Sequence, residues 1–387
     1  METSELIEII ARDEDSKHQF KANVTNNISL AQEIIAFSNT LGGMLIIGAS
    51  NDGSISGLTR EDMGRLNNLI SNAASQQVRP PINPITENIS LDDGLVMVVN
   101  IPKGMSKPYM DKNGVIWVKS GADKRKATSR EEIQRMYQDA NLLHGDEIPV
   151  DTMQITDVDE ALFSRFYSKQ YQEPLDTQDL GLKKIFENLN LIRNDVLNIA
   201  GALLFAKNPQ YKLPAFIVKC VCYPGNEIDV NTYNDSQDIA GNLLTVFDNS
   251  LGFIFRNIKR VQAGNDVNSL GALEIPKIVF EELLANALIH RDYFVSASIR
   301  LFIFGDRIEI ISPGHLPNNL SIENIKSGNS NIRNPILASF ATKLLPYRGL
   351  GSGIRRALKE HPNIQFIDDR EGNFFTVIIK RAHKEND

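Results

Sequence analysis

The sequence predicts a multidomain protein of mixed class, an α+β unit followed by a second part of α/β character. Three observations carry this reading. The chain has 387 residues, more than one ordinary core accommodates. Helical apolar spacing and short strand-like runs alternate along most of its length. A polar, acidic joint at 145–152 separates a first block of elements from the rest. The expected partition is 1–145, a connecting region at 146–265, and 266–387.

In the first block, residues 4–11 have helical spacing. So do 28–41, where Gly42 and Gly43 stop the helix. The apolar run 44–49 predicts a buried strand, 51–53 a turn and 54–57 a short return strand. A helix is expected over 59–77, then a proline-rich break over 77–84. Strands follow at 95–101 and 115–119, the second introduced by Asn113 and Gly114. Ser129 and Glu132 form a capping box that opens a helix to about residue 143. Past the joint, helices are expected over 157–170, 178–190 and 238–260, and strands over 199–206 and 215–223. Residues 263–266 predict a flexible polar tip. The last stretch reads helix (276–291), strand (298–304), turn, strand (307–312), loop, helix, glycine-rich loop, helix and strand (374–380), with a frayed tail at 383–387.

Composition is that of a soluble globular protein, 42% hydrophobic and 23% charged. No apolar run approaches a membrane span, and the N-terminus lacks the charge and apolar pattern of a signal peptide. No membrane association and a cytoplasmic location are expected. Cys220 and Cys222 lie two apart in an apolar run, so both point to one face of a strand as buried thiols. No second cysteine pair or histidine spacing supports a zinc site.

On a helix at 276–291, Glu282, Asn286 and His290 share one stripe. Phe280, Leu283, Leu284, Ala287 and Leu288 cluster roughly 130° away. This amphipathic spacing would let the polar stripe line a cleft while the apolar arc packs on a sheet. Asn286 could give a neutral oxygen to Mg²⁺, and Glu282 could orient or deprotonate a water. Glu281 points about 140° from Asn286 and is the poorer candidate. A solvated acidic face on a packing helix remains the alternative. Sixty residues on, Gly349, Gly351 and Gly353 precede a helix, where backbone amides could meet phosphate oxygens. Arg348, Arg355 and Arg356 add positive charge. A tight turn with no ligand is the alternative there. The polar segment 326–334 has the composition of a mobile lid.

These residues resemble a known family. Glu-Leu-Leu-Ala-Asn at 282–286, the Ser-Pro-Gly ending at Gly314, Arg333-Asn334-Pro335 and Gly351-Ser352-Gly353 look like the divergent branch of the GHKL ATP-binding domain. The resemblance implies an α/β sandwich that holds ATP and Mg²⁺ between helix and lid. Glu282 would match the water-activating glutamate, Asn286 the metal-binding asparagine, and Gly314, Gly349, Gly351 and Gly353 the ATP-binding glycines. Ser312 and Pro313 stand where many members carry an adenine-reading aspartate.

Residues 100–130 hold eight lysines and arginines against two aspartates, a local +6 in a chain of −7. Lys103, Lys107, Lys119, Lys124, Arg125 and Lys126, with Tyr109 and Trp117 interleaved, suit phosphates and stacked bases. An ordinary solvated hairpin is the alternative. The run 14–21, Asn39-Thr40 before Gly42-Gly43, Asp52-Gly53 and Lys119-Ser120-Gly121-Ala122 resemble the Schlafen-type AlbA domain. That resemblance implies nucleic-acid binding, of DNA or RNA. In some members a three-carboxylate cluster cuts RNA. Glu14 and Asp52 would match two of the three, but Gln19 replaces the third, and an amide is a weaker divalent-metal ligand. The whole resembles predicted transcriptional regulators that join these two domains, many of which end in a winged helix; none is expected here. The expected function is an ATP- and nucleic-acid-binding regulator or defence factor, homo-oligomeric, with a nucleotide-operated lid and at most slow hydrolysis. A Schlafen-type metal-dependent RNase and a scaffold with a vestigial ATP site are the alternatives.

Overall fold

The chain divides between Leu143 and His144, and each side has its own sheet. This computed structural model describes residues 1–140, 142–177, 180–229, 231–262, 271–317, 320–349 and 351–381. The expected tip at 263–266 and tail at 383–387 lie outside the described residues.

The first unit runs α1 (Thr3–Ile10), β1 (His18–Lys21), α2 (Asn27–Asn39), β2 (Gly43–Ile47), α3 (Arg60–Asn72), β3 (Val78–Arg79), β4 (Ile85–Leu91), β5 (Gly94–Ile101), β6 (Met110–Asp111), β7 (Trp117–Ser120), β8 (Asp123–Lys126) and α4 (Arg130–Asp139). The main sheet has the order β1-β2-β5-β4, with β1 parallel to β2 and the other pairs antiparallel. Strand alternation splits its apolar side chains between two cores. Leu45, Ile47, Met97 and Val99 meet α2 and α3, whereas Ile46, Val96 and Val98 meet Leu6 and Ile10 of α1. Asn26 caps α2 by accepting from the backbone of Ile28 and Ser29. Asn39, at its other end, donates through Nδ2 to the carbonyls of Tyr109 and Trp117 and accepts from Tyr109 N, all at 2.8 Å. The asparagine before the glycine pair is therefore a structural stitch. Five strands differ from the expectation: β1, β3, β4, β6 and β8 form where no strand is expected. The return strand expected at 54–57 is only a bridge between Ala49 and Ile55.

The second unit runs α5 (Glu160–Tyr171), α6 (Leu182–Asn188), β9 (Ile192–Arg193), β10 (Val196–Leu197), α7 (Ile199–Phe205), β11 (Val218–Cys222), β12 (Asp235–Ile239), α8 (Leu243–Asn257), β13 (Arg260–Gln262), β14 (Gly271–Leu273), α9 (Lys277–His290), β15 (Ile299–Ile303), β16 (Arg307–Pro313), α10 (Ile322–Lys326), α11 (Pro335–Leu344), α12 (Gly353–Glu360), β17 (Ile364–Asp369) and β18 (Phe374–Lys380). Six strands form one sheet, β12-β11-β15-β16-β18-β17, with only β11 and β15 parallel among its pairs. One face is buried, through Val218, Cys220, Leu301, Ile310 and Val377, and α8 and α9 pack on the sheet. Burial pushes the Cys220 thiol up to about 12, so it stays protonated.

Three expectations fail here. The boundary at 265/266 has no counterpart, because β11, β12 and α8 share one sheet and one core with β15 and α9. Residues 199–206 are not a strand but helix α7, capped by Asn198 accepting from Gly201 N at 2.8 Å. Every residue of α7 is buried, and burial all round removes the periodicity that would mark a helix. The helix expected over 238–260 begins at Leu243, after β12 and an Asn242 cap. Strands β9, β10, β12, β13, β14 and β17 form where no strand is expected. Among the described residues no helix is long and apolar enough to cross a membrane.

Candidate functional site

Helix α9 is buried on nearly all sides rather than amphipathic, packing against α8, α11, α12 and β16. Its polar stripe is therefore held within the fold. Glu282, Asn286 and His290 all line one cleft of roughly 1010 Å³, counting the space open to solvent. Glu282 is 1% exposed. Glu281 faces elsewhere and pairs with Lys277 at 2.8 Å.

Helix α12 crosses close to α9. A Cβ at Gly353 would strike Glu282 Oε2 and lie 3.5 Å from Asn286 Nδ2, so a larger residue here would have to displace the Glu282 carboxylate. Gly351, at φ +69°, lies against the carbonyl of Gly328, so the segment expected as a lid edges the same cleft. That segment is pinned at its end: Asn334 is fully buried and donates to the carbonyls of Ile289 and Arg291, at 2.8 and 2.9 Å. Gly314 and Gly349 also line the cleft; Leu350 lies outside the described residues. Ser352 makes no side-chain cap, which leaves the first N–H groups of α12 without one.

Three arginines, Arg333, Arg348 and Arg356, line the cleft, and Leu283, Leu316, Phe366 and Phe375 give it an apolar wall. Arg355 is not among the lining residues; its side chain lies beside Gly328. Arg356 Nη2 pairs with Glu282 Oε1 off hydrogen-bond geometry, since Glu282 Oε1 and Arg356 Nε both lack a hydrogen-bond partner. Burial raises the Glu282 carboxyl, and the Arg356 charge opposes that rise. His290 Nε2 lies 3.1 Å from the Tyr347 hydroxyl, and burial with Arg333 nearby pushes the imidazole down to about 4. It is neutral at pH 7. The Arg356–Glu282 pair and Tyr347 were not foreseen. The arginines following Gly353 were the available signal, but their partner sits about seventy residues away in sequence.

This set fits an anionic nucleotide with a divalent ion. It combines uncapped helix N–H groups, under-partnered buried charges and a glycine crossing beside an amide and a carboxylate. Asn286 lines the cleft beside Gly353. No group of three or more His, Cys, Asp or Glu side chains able to hold a metal occurs among the described residues.

In the first unit the basic residues meet internal partners. Lys119 is not part of an exposed face: it is 9% exposed, donates to Gln19 Oε1 at 3.1 Å and to the Ala122 carbonyl, and lies 4.7 Å from the Phe37 ring centroid. Burial lowers its pKa, while Glu33 and Glu14 oppose the shift. Lys124 pairs with Glu33 at 2.5 Å, and Arg125 grips Glu132 through both terminal nitrogens. Lys107 donates to the Thr40 carbonyl at 2.7 Å. Lys103 and Lys126 are exposed, Lys126 stacking over Trp117 at 5.5 Å. Tyr109 is buried and cannot stack on a base. Glu14 accepts from Phe20 N at 2.7 Å and Asn51 Nδ2 at 3.4 Å. Asp52 accepts from Ser54 Oγ and N, which holds its carboxyl below the usual range.

The Schlafen, AlbA_2 family model matches residues 14–128, which contain Glu14, Asp52 and the basic segment. The model described as "Putative ATP-dependent DNA helicase recG C-terminal" matches residues 296–379; this span holds Gly314 and the glycine loop but not Glu282 or Asn286. Among solved structures, the DIP2311 protein of Corynebacterium diphtheriae is 19% identical, with 98% of this chain and 80% of that one covered at a TM-score of 0.47. The N-terminal domain of a putative ATP-dependent DNA helicase RecG-related protein from Nitrosomonas europaea is 17% identical, covering 34% of this chain and 97% of that one at a TM-score of 0.24. No curated protein matches the chain. The chain thus carries an N-terminal domain of the Schlafen AlbA_2 type and a C-terminal, ATPase-like domain of the recG C-terminal type.

Proposed function

We propose that the second unit binds ATP with Mg²⁺ in the cleft between α9 and α12, and that the first unit binds nucleic acid through phosphates. The observation that carries the first half is the crossing at Gly353. There one glycine backbone lies against a buried carboxylate and an amide one helical turn apart, beside three arginines. The N–H groups of α12 and the backbone at Gly349, Gly351 and Gly353 would hold the phosphates, and Asn286 would supply an oxygen to the metal. Bound ATP·Mg²⁺ brings a transferable phosphoryl group whose charge the metal offsets. Glu282 takes the proton of the attacking water. The apolar wall with Gly314 receives the base.

Turnover is slow, and nucleotide state acts on the 327–331 segment, which makes the protein a regulator rather than a motor. Such regulation requires different contacts in the two nucleotide states. A metal-dependent RNase at Glu14 and Asp52 is disfavoured. The buried Lys119 ammonium already places a positive charge beside Glu14 and Gln19, which opposes a divalent cation there.

Titration of ATP with and without Mg²⁺ tests this. Wild type should bind ATP about tenfold tighter with Mg²⁺, a difference of roughly 1.4 kcal/mol. Asn286→Ala should lose most of that gain. Absence of ATP binding, or an unchanged Mg²⁺ dependence in Asn286→Ala, removes the assignment.

A further inference from the structure

Glu282 and the N-terminal turn of α12 share one side chain. Arg356 is the fourth residue of α12, so it rises from the same turn, Gly353 to Arg356, that lines the cleft. Its Nη2 pairs with Glu282 Oε1 while its Nε stays buried with no acceptor. Glu282, 1% exposed, also keeps Oε1 without a hydrogen-bond donor. A pair so poorly satisfied holds weakly, because each ion is desolvated without full compensation. A phosphate group offers a guanidinium three oxygens and a bidentate fit that Glu282 does not provide here.

We propose that Arg356 is the residue by which this cleft distinguishes a nucleoside triphosphate from a diphosphate: Glu282 and the terminal phosphate compete for its guanidinium. The inference rests on the nucleotide reading above, since a base at Glu282 must lie beside the terminal phosphate for its attacking water. Arg356 is a binding residue in this scheme. Moving it to the phosphate leaves Glu282 without the cation that restrains its basicity, so the same contact that selects the triphosphate strengthens the base.

The competition makes a signed prediction. Removing the charge of Glu282 should improve ATP binding, because Arg356 is then free. Dissociation constants for ATP and ADP, each with Mg²⁺, are measured for wild type, Glu282→Gln, Arg356→Gln and the double variant, with thermal melting as the folding control. Glu282→Gln should tighten ATP about tenfold, the scale of one charge-assisted contact, and leave ADP unchanged. Arg356→Gln should weaken ATP about tenfold and ADP less than twofold. In the double variant, whose neutral pair keeps the shape of the crossing, the Glu282→Gln gain should vanish. Equal weakening of both nucleotides by Arg356→Gln overturns the proposal and leaves nucleotide binding standing, as does an unchanged ATP affinity in Glu282→Gln. Should Arg356→Gln not fold, the Glu282→Gln arm decides alone. Failure of wild type to bind either nucleotide overturns the proposal together with the reading beneath it.

Discussion

Both units bury a glutamate beside a cation, and the two pairs have different surroundings. In the first unit Glu33 pairs with Lys124, and Lys119 donates to Gln19 and Ala122. Glu33 keeps one oxygen without a hydrogen-bond partner, but the nearby ammonium groups have protein acceptors. In the second unit Glu282 and Arg356 line a cleft, and both members keep a polar atom without a hydrogen bond. A charge whose partners are all protein atoms holds the fold. A charge with a spare donor beside an opening can also bind. Local sequence alone does not separate the two cases: Lys119 stands two residues before Gly121, and Arg356 three residues after Gly353.

The sharpest way to break this contrast is to remove Lys119. Lys119→Met leaves Gln19 Oε1 without its donor and the Glu33 and Glu14 charges less compensated. Leaving a buried acceptor without its donor costs about 1–3 kcal/mol. The chain's single tryptophan, Trp117, lies in the same unit, so its fluorescence during urea unfolding reports that unit. The expected result is an earlier midpoint with ATP affinity unchanged. A stable variant that has lost nucleic-acid binding would instead make Lys119 a contact residue, and the distinction drawn between the two units would fall.

The same distinction explains what could be read from the sequence. Glu282, Asn286 and the glycines are legible because helical spacing and a glycine run are local signals, and all of them line one cleft. The burial of Lys119 is not local: Gln19 lies one hundred residues away, and Phe37 on α2 covers the ammonium. Strand β4 is hard to read because Glu87 interrupts the apolar half of its alternation (Ile85, Ile89, Leu91) and a proline-rich break precedes it. Its sheet partner β5, apolar on both faces, was plain. Helix α7 was lost for the opposite reason, being apolar on every side. The arginine pairing with Glu282 depends on how α12 crosses α9, which no single stretch of sequence encodes.

A buried carboxylate that forms no salt bridge among the described residues gives the next test. Asp146 is fully buried, accepts from Leu337 N at 2.9 Å and keeps Oδ1 without a partner. Burial pushes its pKa from 3.8 to about 6. Below pH 3.8 it is protonated folded or unfolded. Between 3.8 and about 6 the folded state alone holds the proton, so stability falls as pH rises through this window. Two pKa units correspond to roughly 3 kcal/mol. Asp146→Asn keeps an acceptor for Leu337 N and carries no charge. It should melt higher than wild type at pH 7, match it near pH 4, and lose the slope between them. An unchanged slope would show that Asp146 titrates normally and is not a strained ion.

The smallest expected effect falls on the exposed cations of the first unit. Lys126 is exposed and lies over Trp117, its charge helps hold the Asp111 carboxyl low, and among the described residues it forms no salt bridge. If it meets a phosphate, Lys126→Ala should weaken nucleic-acid binding by a few-fold at 0.1 M salt, and lower the slope of log affinity against log salt by about 1. Its loss should leave the Trp117 unfolding midpoint nearly unchanged, since an exposed cation–π contact contributes only about 0.5–1 kcal/mol. Arg125, held bidentately by Glu132, makes the matched control. Its guanidinium must leave a carboxylate before it can meet a phosphate, so Arg125→Ala should change the salt slope less than Lys126→Ala does. Equal slopes for the two variants would mean that an internal partner does not withhold a surface cation from a ligand, and that only full burial, as at Lys119, does so.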